Sequence, residues 1–524
     1  MPTDIAGYHH RTKHAQTRYA LGPGFLDWTS QPSPWRRFEG APLVPLPLCD
    51  RERTPDFPGP AGTSAPLDAR ALGLFLELAF GLSAWKSVEG NVWALRNNPS
   101  SGNLHPTECY ALLPALDGLS DAPGLWHYAP KEHGLEQRAR FADGAALPAG
   151  GFLIGLSSLP WRESWKYGER AFRYCQLDAG HAIGCAAQAA AVLGWRAQAL
   201  LAPSDADVAS LLGLDQPGAF HRREEEHPDA LLWIGAGPPP QDVDALLAGP
   251  RDWFGAANRL SEDHDGWPAV DLALRFTRKP RSATPPAPSR RAPPVVAGAP
   301  IGDVVRRRRS AQRMDGAAVM PKDNFFAMLA ATLPGAEPLM SALPAPPRIA
   351  LLVFVHRVEG VDPGLYLLLR DADAEPRLRA AIEGAAFAPA GPDDLPLFLL
   401  QAGPFEKIAT RQSCQQPIAG KGCFSVAMLS DFDRALAEDG PFAYRRLHWE
   451  AGLIGQVLYL WASAMGASGT GIGCFFDDDV HALLGLPEGQ TQFADVYHFT
   501  VGAAVEDARI LTLPAYPDER REQR

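Results

Sequence analysis

The chain lacks the cysteine patterns that would indicate a metal site or a disulfide framework. Its 524 residues include seven scattered cysteines, and no two of them form a Cys-x-x-Cys pair. An odd number of isolated thiols is typical of a reducing compartment. The first residues also lack the charged-then-apolar pattern of a secretion signal. We therefore expect a cytoplasmic protein without a metal site.

Positive charge is scarcer than negative charge. The 49 Lys and Arg residues stand against 60 Asp and Glu residues, which gives a formal net charge of -11. No basic stripe with interleaved aromatic residues occurs. This balance argues against a nucleic-acid partner.

Residues 451–473 are uncharged and numerous enough to suggest a membrane span. The segment nevertheless contains Gln456, Ser463, Ser468 and Thr470 together with many glycines. We interpret it as a buried helix that runs into a glycine turn, and we expect a soluble protein with no membrane partner.

Several common catalytic motifs are absent. The sequence has no Gly-x-Ser-x-Gly elbow, no His-Glu-x-x-His pair and no Gly-x-x-x-x-Gly-Lys-Ser/Thr loop. It is also too long for one ordinary hydrophobic core, so two domains are expected.

An internal repeat supports that division. The matching strings are Ala179-Gly180 with Ala451-Gly452, Gly194 with Gly466, and Leu212-Gly213-Leu214 with Leu484-Gly485-Leu486. Each pair is separated by 272 residues (451−179, 466−194 and 484−212). A constant spacing through a helix, a loop and a second helix indicates two copies of one fold. Two such copies would pack most simply as the subunits of a symmetric dimer do.

We predict four regions along the chain: an extended N-terminal arm over 1–60, a first domain over 61–278, a Pro-rich linker over 279–300 and a second domain over 301–524. Apolar spacing predicts helices over 67–82, 178–193 and 323–333 and a strand over 230–235. The second of these helices is apolar all round, which is typical of a buried helix. The His-rich tract 8–14 is interpreted as a solvated part of the arm.

Two polar segments carry the chemistry. Residues 96–106 read Arg-Asn-Asn-Pro-Ser-Ser-Gly-Asn-Leu-His-Pro, which predicts a rigid loop that leads into a strand. Its short side chains and free backbone amides suit contact with a flat polar ring. Residues 306–313 read Arg-Arg-Arg-Arg-Ser-Ala-Gln-Arg. Guanidinium groups and a hydroxyl can clamp a phosphate. The alternatives are a tight turn for residues 96–106 and a solvated basic run for residues 306–313.

These segments resemble the Pro-Ser-Ser-x-Asn-x-x-Pro loop and the N-terminal Arg-x-Ser-x-Arg motif of the FMN-dependent nitroreductase superfamily. His14 and the string Leu26-Asp27-Trp28 are similar to the leading segment of its SagB/ThcOx-type dehydrogenase branch. The resemblance implies an α+β fold of two nitroreductase-like α/β sandwich domains that pack as an intramolecular pseudo-dimer. In a family dimer, each FMN uses the arginine clamp of one subunit and the loop of the other.

The two halves complement each other in this respect. The first half has the loop, but its counterpart of the clamp reads Arg-Thr-Pro-Asp-Phe at 53–57. The second half has the clamp, but Pro-Ala-Pro-Pro at 344–347 replaces the loop. We therefore expect one complete composite site for FMN.

The resemblance assigns specific residues to this site. Those expected to bind FMN are Arg96, Pro99, Ser100, Ser101, Gly102 and Asn103 of the loop, Arg308, Arg309, Ser310 and Arg313 of the clamp, Gly469, Thr470, Gly471, Ile472 and Gly473 of the glycine turn, and Arg509. Lys166 and Tyr167 match a Lys-Tyr pair that azoline oxidases of the branch link to proton abstraction while hydride passes to flavin. Cys414 and Cys423 either reach the flavin or substrate pocket or serve only in packing.

The implied function is an FMN-dependent dehydrogenase that acts on a heterocycle or C–N unit of a small or peptide-derived metabolite. An NAD(P)H-dependent nitro or quinone reductase is the first alternative. A catalytically silent scaffold that binds a biosynthetic partner protein is the second. Further oligomerisation, or a monomeric pseudo-dimer, stays open.

Overall fold

The computed structural model describes residues 1–49, 53–59, 62–142, 147, 150–249, 251–295, 298–382 and 384–517. The predicted domain boundary at residues 60 and 61 and the predicted end of the second domain at residue 524 lie outside these ranges. Among the described residues, no helix is long and apolar enough to cross a membrane.

The first half contains seven helices and twelve strands among the described residues. The helices are α1 (Ile5–Arg11), α2 (Ala69–Phe80), α3 (Pro160–Tyr167), α4 (Ala171–Val192), α5 (Asp205–Leu212), α6 (Asp244–Leu247) and α7 (Pro268–Phe276). The strands are β1 (Phe38–Glu39), β2 (Leu43–Pro45), β3 (Leu82–Val88), β4 (Asn91–Arg96), β5 (Thr107–Leu113), β6 (Gly124–Ala129), β7 (Gly134–Phe141), β8 (Gly151–Ser158), β9 (Arg196–Ala199), β10 (His227–Gly235), β11 (Arg251–Trp253) and β12 (Ala256–Ala257).

The second half contains eight helices and eight strands in the part that the structure describes. The helices are α8 (Ile301–Arg307), α9 (Lys322–Ala331), α10 (Glu375–Ala381), α11 (Glu406–Gln412), α12 (Pro417–Lys421), α13 (Phe432–Asp439), α14 (Ala443–Ala464) and α15 (Asp479–Leu483). The strands are β13 (Ile349–Val355), β14 (Gly364–Leu368), β15 (Ala388–Pro389), β16 (Leu397–Ala402), β17 (Phe424–Asp431), β18 (Ser468–Ile472), β19 (Phe493–Gly502) and β20 (Leu511–Leu513).

The two halves share one topology, which confirms the predicted internal repeat of one fold. The strand order β7-β6-β5-β8-β10-β9 of the first sheet matches β16-β14-β13-β17-β19-β18 of the second. All of these pairs are antiparallel. Helices α3 and α4 recur as α13 and α14 at the 272-residue spacing of the sequence repeat.

Each sheet is covered on both faces because its central strands are apolar on both. Along β13, Leu351 and Val353 face the core that contains the long helices, whereas Leu352 and Phe354 face the smaller helices. Alternate side chains of a strand point to opposite faces, so a continuous apolar run requires cover on each side. The result is an α/β sandwich in each half.

The long helices α4 and α14 join the halves into one pseudo-dimer. A Cβ atom added to Gly452 would collide with the carbonyl oxygen of Leu177, and one added to Gly180 would collide with that of Trp449. The two backbones therefore approach more closely than any side chain would allow. A single hydrophobic cluster runs across this contact into both sheets.

Two of the predicted helices begin at other residues in the structure, because polar side chains near their starts form hydrogen bonds. Helix α2 begins after Asp68, whose carboxylate accepts a hydrogen bond from Ala71 N at 2.8 Å. Helix α4 begins at Ala171, seven residues before the predicted start at 178. Its first turns carry Arg173 and Gln176, and their polarity concealed a buried helix because they pair with polar groups elsewhere in the fold.

The prediction that the His-rich tract is solvated is wrong. Tyr8 and His9 in α1 are buried, and the Tyr8 hydroxyl donates to the carbonyl of Glu169 at 2.7 Å. Arg173 donates to the carbonyl of His9 at 2.6 Å and to Asp477 of the second half at 2.5 Å. The arm is therefore held between the halves by the buried Arg173 of α4.

We predict that Gly452→Ala lowers the stability of the protein by roughly 1–3 kcal/mol, the usual cost of overpacking. The added methyl group would meet backbone atoms, which cannot move aside as a flexible side chain can. The melting temperature should fall. Gly249→Ala is the matched control, because a Cβ there meets no atom within 4 Å. Equal melting temperatures for the two variants would contradict the close contact between the helices.

Candidate active site

A cavity of about 580 Å³ lies between the two halves. Its volume is typical of sites for cofactors and small molecules. The predicted residues among its lining are Arg96, Pro99, Ser100, Ser101, Gly102 and Asn103 from the first half and Arg308, Arg309, Ser310, Gly469, Gly471, Ile472 and Gly473 from the second, together with Tyr167. The loop and the clamp thus meet in one place although about 200 residues separate them.

Hydrogen bonds hold the Pro-Ser-Ser loop at the cavity wall. The Ser101 amide and hydroxyl donate to the carboxylate of Asp178 in α4 at 3.1 and 3.0 Å. The hydroxyl of Ser100 accepts from His105 N at 2.7 Å, and the Asn103 amide donates to Ala94 O at 2.9 Å. Burial raises the pKa of Asp178 to about 7, even though its bonds to Ser100 and Ser101 favour the ionised form.

The glycine-rich segment is a strand, so the prediction of a glycine turn after the helix is wrong. Residues Ser468–Ile472 form β18 at the edge of the second sheet, paired with β19. The free edge of β18 receives the clamp: Ala311 N donates to Gly469 O at 3.0 Å, and Ser310 forms a parallel bridge with Gly469. Glycine fits this strand because a Cβ atom at Gly469 would collide with the Phe499 ring, and one at Gly471 would collide with the Tyr497 hydroxyl.

A tyrosine joins the clamp to the strand. The Tyr459 hydroxyl of α14 lies 2.7 Å from the Ser310 hydroxyl and accepts a hydrogen bond from Gly471 N at 3.0 Å. The Arg308 guanidinium carbon lies 5.0 Å from the centre of the Tyr459 ring. One side chain of the buried helix therefore fixes three parts of the cavity wall.

Arg96 and Arg308 are buried and incompletely hydrogen-bonded among the described residues, whereas Arg309 is half-buried and donates to three backbone carbonyls. Arg308 is 5% exposed; its Nη2 donates to Arg96 O at 3.1 Å, but its Nε and Nη1 have no hydrogen-bond partner among the described residues. Burial, together with the neighbouring Arg308 charge, lowers the pKa of Arg309 to about 10. Burial likewise lowers the pKa of Arg96 to about 10. Unpaired buried guanidinium atoms are costly without an anion.

Lys166 and Tyr167 lie at the end of α3, against the loop. A Cβ added to Gly102 would lie 2.5 Å from the Tyr167 hydroxyl oxygen and 3.2 Å from Lys166 Nζ. Tyr167 lines the cavity, whereas Lys166 lies beside it with Nζ 5.3 Å from the centre of the Tyr167 ring. Burial raises the pKa of Tyr167 well above its ordinary value, and Glu163 raises it further.

Three other predicted residues lie outside the lining of the cavity. The Thr470 hydroxyl donates to Ala311 O at 2.5 Å. Arg313 accepts a backbone hydrogen bond from Val505 N at 2.9 Å. The Arg509 side chain is 77% exposed and forms an ion pair with Asp507 at 2.6 Å. Of these, only Thr470 has a local role in joining the clamp to β18.

Sequence reasoning missed several residues of the cavity wall. Asp178, His181, Tyr459 and Tyr497 all line it, and His181 lies 3.1 Å from the Tyr497 hydroxyl across the two halves. The sequence did contain a signal for Asp178 and His181, because both are polar residues within a helix that is otherwise mostly apolar. A lone Asp or His in a buried helix must find a partner or face a cavity.

The corresponding place in the other half is filled by apolar side chains. Strand β9 is the counterpart of β18, and Trp195 before it is buried in one cluster with Met340 and Leu343. Phe57, in the segment that corresponds to the clamp, packs edge-on against Trp461 with ring centres 5.3 Å apart. Among the described residues, this second place has neither a Pro-Ser-Ser loop nor an arginine clamp.

Comparison with known structures agrees with the repeated fold. A crystal structure of a candidate nitroreductase from Anabaena variabilis is 23% identical, covers 96% of this chain and 100% of its own, and has a TM-score of 0.71. A candidate nitroreductase from Ralstonia eutropha JMP134 is 18% identical over 41% of this chain and 97% of its own, with a TM-score of 0.27. The Escherichia coli microcin synthetase McbBCD complex with truncated pro-MccB17 has a chain that is 19% identical over 45% of this chain and 88% of its own, also with a TM-score of 0.27.

The Anabaena structure spans both halves, so it shares the whole two-unit fold. A comparison with curated proteins found no match. The model of the Nitroreductase family matches residues 85–221 and 305–503. Because these two matches cover more than half of the sequence, the chain belongs to the nitroreductase family.

Proposed function

We propose that the protein is an FMN-dependent oxidoreductase that holds one flavin between its two halves. The observation that carries this proposal is the buried Arg308 guanidinium, whose Nε and Nη1 are unpaired among the described residues beside the composite cavity. Leaving a buried cation unpaired costs several kcal/mol on the usual scale, roughly 3–5. A bound phosphate would remove that cost.

The residues of the clamp fit a phosphate monoester. Arg308, Arg309 and Ser310 of this segment line the cavity together, and the Arg308 Nε and Nη1 atoms have no hydrogen-bond partner among the described residues. A planar guanidinium can donate two parallel hydrogen bonds to phosphate oxygens. Arg96 from the first half adds a second buried cation whose Nε lacks a partner in the part of the chain that the structure describes.

The loop and β18 fit a flat heterocycle. Ser100, Gly102 and Asn103 present short side chains and backbone on one side of the cavity, and Gly469 and Gly471 present backbone on the other. When bound, a flavin would supply the capacity to accept or donate hydride. The protein contributes orientation of the ring and exclusion of water, and its Asp178 keeps the loop in place.

We further infer that Lys166 and Tyr167 move a proton during oxidation of a heterocycle or C–N unit in a small or peptide-derived substrate. Burial keeps the Tyr167 hydroxyl protonated at neutral pH, because its pKa is raised. It can therefore donate to a developing anion or pass on a proton. The nearby Lys166 Nζ adds positive charge beside the loop. This arrangement supports a dehydrogenase of the SagB/ThcOx type.

We predict that the purified protein binds about one FMN per chain, since among the described residues one cavity combines the Pro-Ser-Ser loop with the arginine clamp. The measurement is the visible spectrum together with the flavin released after denaturation. A value of about two would mean that the apolar second place also binds flavin and that the composite-site argument is wrong. No binding of added FMN would leave a scaffold role and would contradict the proposed function.

We predict that Arg308→Ala weakens FMN binding by about 10–100-fold, the usual value of a lost charge-assisted hydrogen bond. Binding of riboflavin, which has no phosphate, should change little. Titration calorimetry with both ligands separates the phosphate from the ring. Arg290→Ala is the control, because Arg290 is exposed and pairs with Glu337. An equal loss for FMN and riboflavin would show that Arg308 does not bind the phosphate.

We predict that the double variant Lys166→Ala, Tyr167→Phe keeps its FMN but loses dehydrogenation by about 10²–10⁴-fold, the usual contribution of a general acid or base. Reduction of bound flavin by a thiazoline-containing peptide is followed at its visible absorption. Reduction of a nitroaromatic compound with NAD(P)H should be unaffected. Lys131→Ala is the surface control. A variant that oxidises the peptide as fast as the wild-type protein would show that Lys166 and Tyr167 do not move the proton. A wild-type protein that reduces the nitroaromatic compound but does not oxidise the peptide would favour the nitro or quinone reductase instead.

A further inference from the structure

Two of the seven cysteines lie together at the wall of the cavity. Cys474 directly follows β18 and lines the cavity, and Cys414 lies in the loop between α11 and α12. Both are half-buried, whereas the other five cysteines are buried. These two thiols are therefore the most accessible to a reagent.

Two hydrogen bonds join the chain segments that carry the two cysteines. Phe476 N donates to Gln412 O at 2.8 Å, and Gln416 Nε2 donates to Cys474 O at 3.1 Å. These two bonds tie the loop that carries Cys414 to the segment that carries Cys474. The Cys414 thiol is the hydrogen-bonding partner with the largest effect on Cys474.

The loop at Cys414 has an unusual conformation. Cys414 and Gln415 have φ angles of 50° and 61°, in the left-handed region that non-glycine residues seldom adopt. Such a conformation costs about 1–3 kcal/mol per residue and persists only where surrounding contacts impose it. Here the two residues follow the end of α11 at Gln412 and lead the chain into α12.

The surroundings shift the pKa values of the two thiols in opposite directions. The hydrogen bond from Cys414 lowers the pKa of Cys474 to about 5, and a hydrogen bond from His14 and the charge of Arg170 act in the same direction. The pKa of Cys414 is raised, first by its bond to Cys474 and then by burial. The other titratable groups that face the pair are Tyr19, Tyr167 and Tyr174. Cys474 is thus the thiolate and Cys414 keeps the proton.

We propose that Cys414 and Cys474 are a redox-active pair that exchanges with small disulfide compounds and closes to an intramolecular disulfide at the cavity wall. The Cys474 thiolate attacks one sulfur of the small disulfide, forms a mixed disulfide and releases one small thiolate. Cys414 then loses its proton and attacks Cys474 Sγ, which releases the second small thiolate. Two protein thiols are oxidised to one disulfide while one small disulfide is reduced to two thiols.

This activity is independent of FMN, so its test does not depend on the proposed function. The full-length reduced protein is incubated with oxidised glutathione, and the free thiols are then alkylated and mapped by mass spectrometry. We expect a peptide in which Cys414 and Cys474 are cross-linked, with a loss of about 2 Da. Dithiothreitol should restore both thiols. Cys423→Ser is the control, because Cys423 is buried and should leave the cross-link intact.

Single variants test the order of the steps. Cys414→Ser should accumulate a mixed disulfide with glutathione on Cys474, since the second attack is removed. Cys474→Ser should leave Cys414 unmodified. In the wild-type protein, iodoacetamide at pH 6 should modify Cys474 roughly tenfold faster than an ordinary thiol, after allowing for the lower nucleophilicity of an acidic thiolate. His14→Ala should reduce this advantage.

Two results would overturn the proposal. One is glutathione adducts on both cysteines of the wild-type protein without a cross-linked peptide. The other is the absence of any modification of Cys474 under conditions that oxidise a dithiol control peptide.

Discussion

The contact between α4 and α14 is the constraint on which the other features of the structure depend. Gly180 and Gly452 let the two backbones touch, and a single hydrophobic cluster extends from this point into both sheets. A larger residue at either position would separate the halves. The cavity would then lose its shape, because its walls come from opposite sides of this contact.

Fusion of two copies allows a symmetric backbone to carry asymmetric chemistry. In a dimer of identical chains, the same residues must occupy both equivalent places. Here one place has the loop, the clamp and Tyr459, and the other has Trp195 and Met340 in a closed core. Packed apolar side chains stabilise the fold, whereas the buried arginines of the cavity oppose folding unless an anion is bound.

The topology could be predicted from the sequence to a large extent. The repeat and the long buried helices follow from spacing along the chain, and the meeting of loop and clamp in one site is what the resemblance to the nitroreductase superfamily implies. The path of the N-terminal arm could not be predicted in this way. His9 and Arg173 have the polarity of solvated residues but are buried. Arg173 donates to the His9 carbonyl, to Thr12 and to Asp477, and the His9 ring packs against Phe432. Polar patterns report exposure reliably only when no partner is available inside the protein.

By itself the sequence determined that two related units occur, that each has an apolar central helix, and that the loop and the clamp belong to different units. The tertiary structure decided which residues meet. The pairing of Ser101 with Asp178, of Ser310 with Tyr459 and of Cys414 with Cys474 joins positions that are 77, 149 and 60 residues apart (474−414 for the last). Periodicity reports which face of a helix or strand is buried, but it carries no information on what packs against that face. That depends on how the two halves dock.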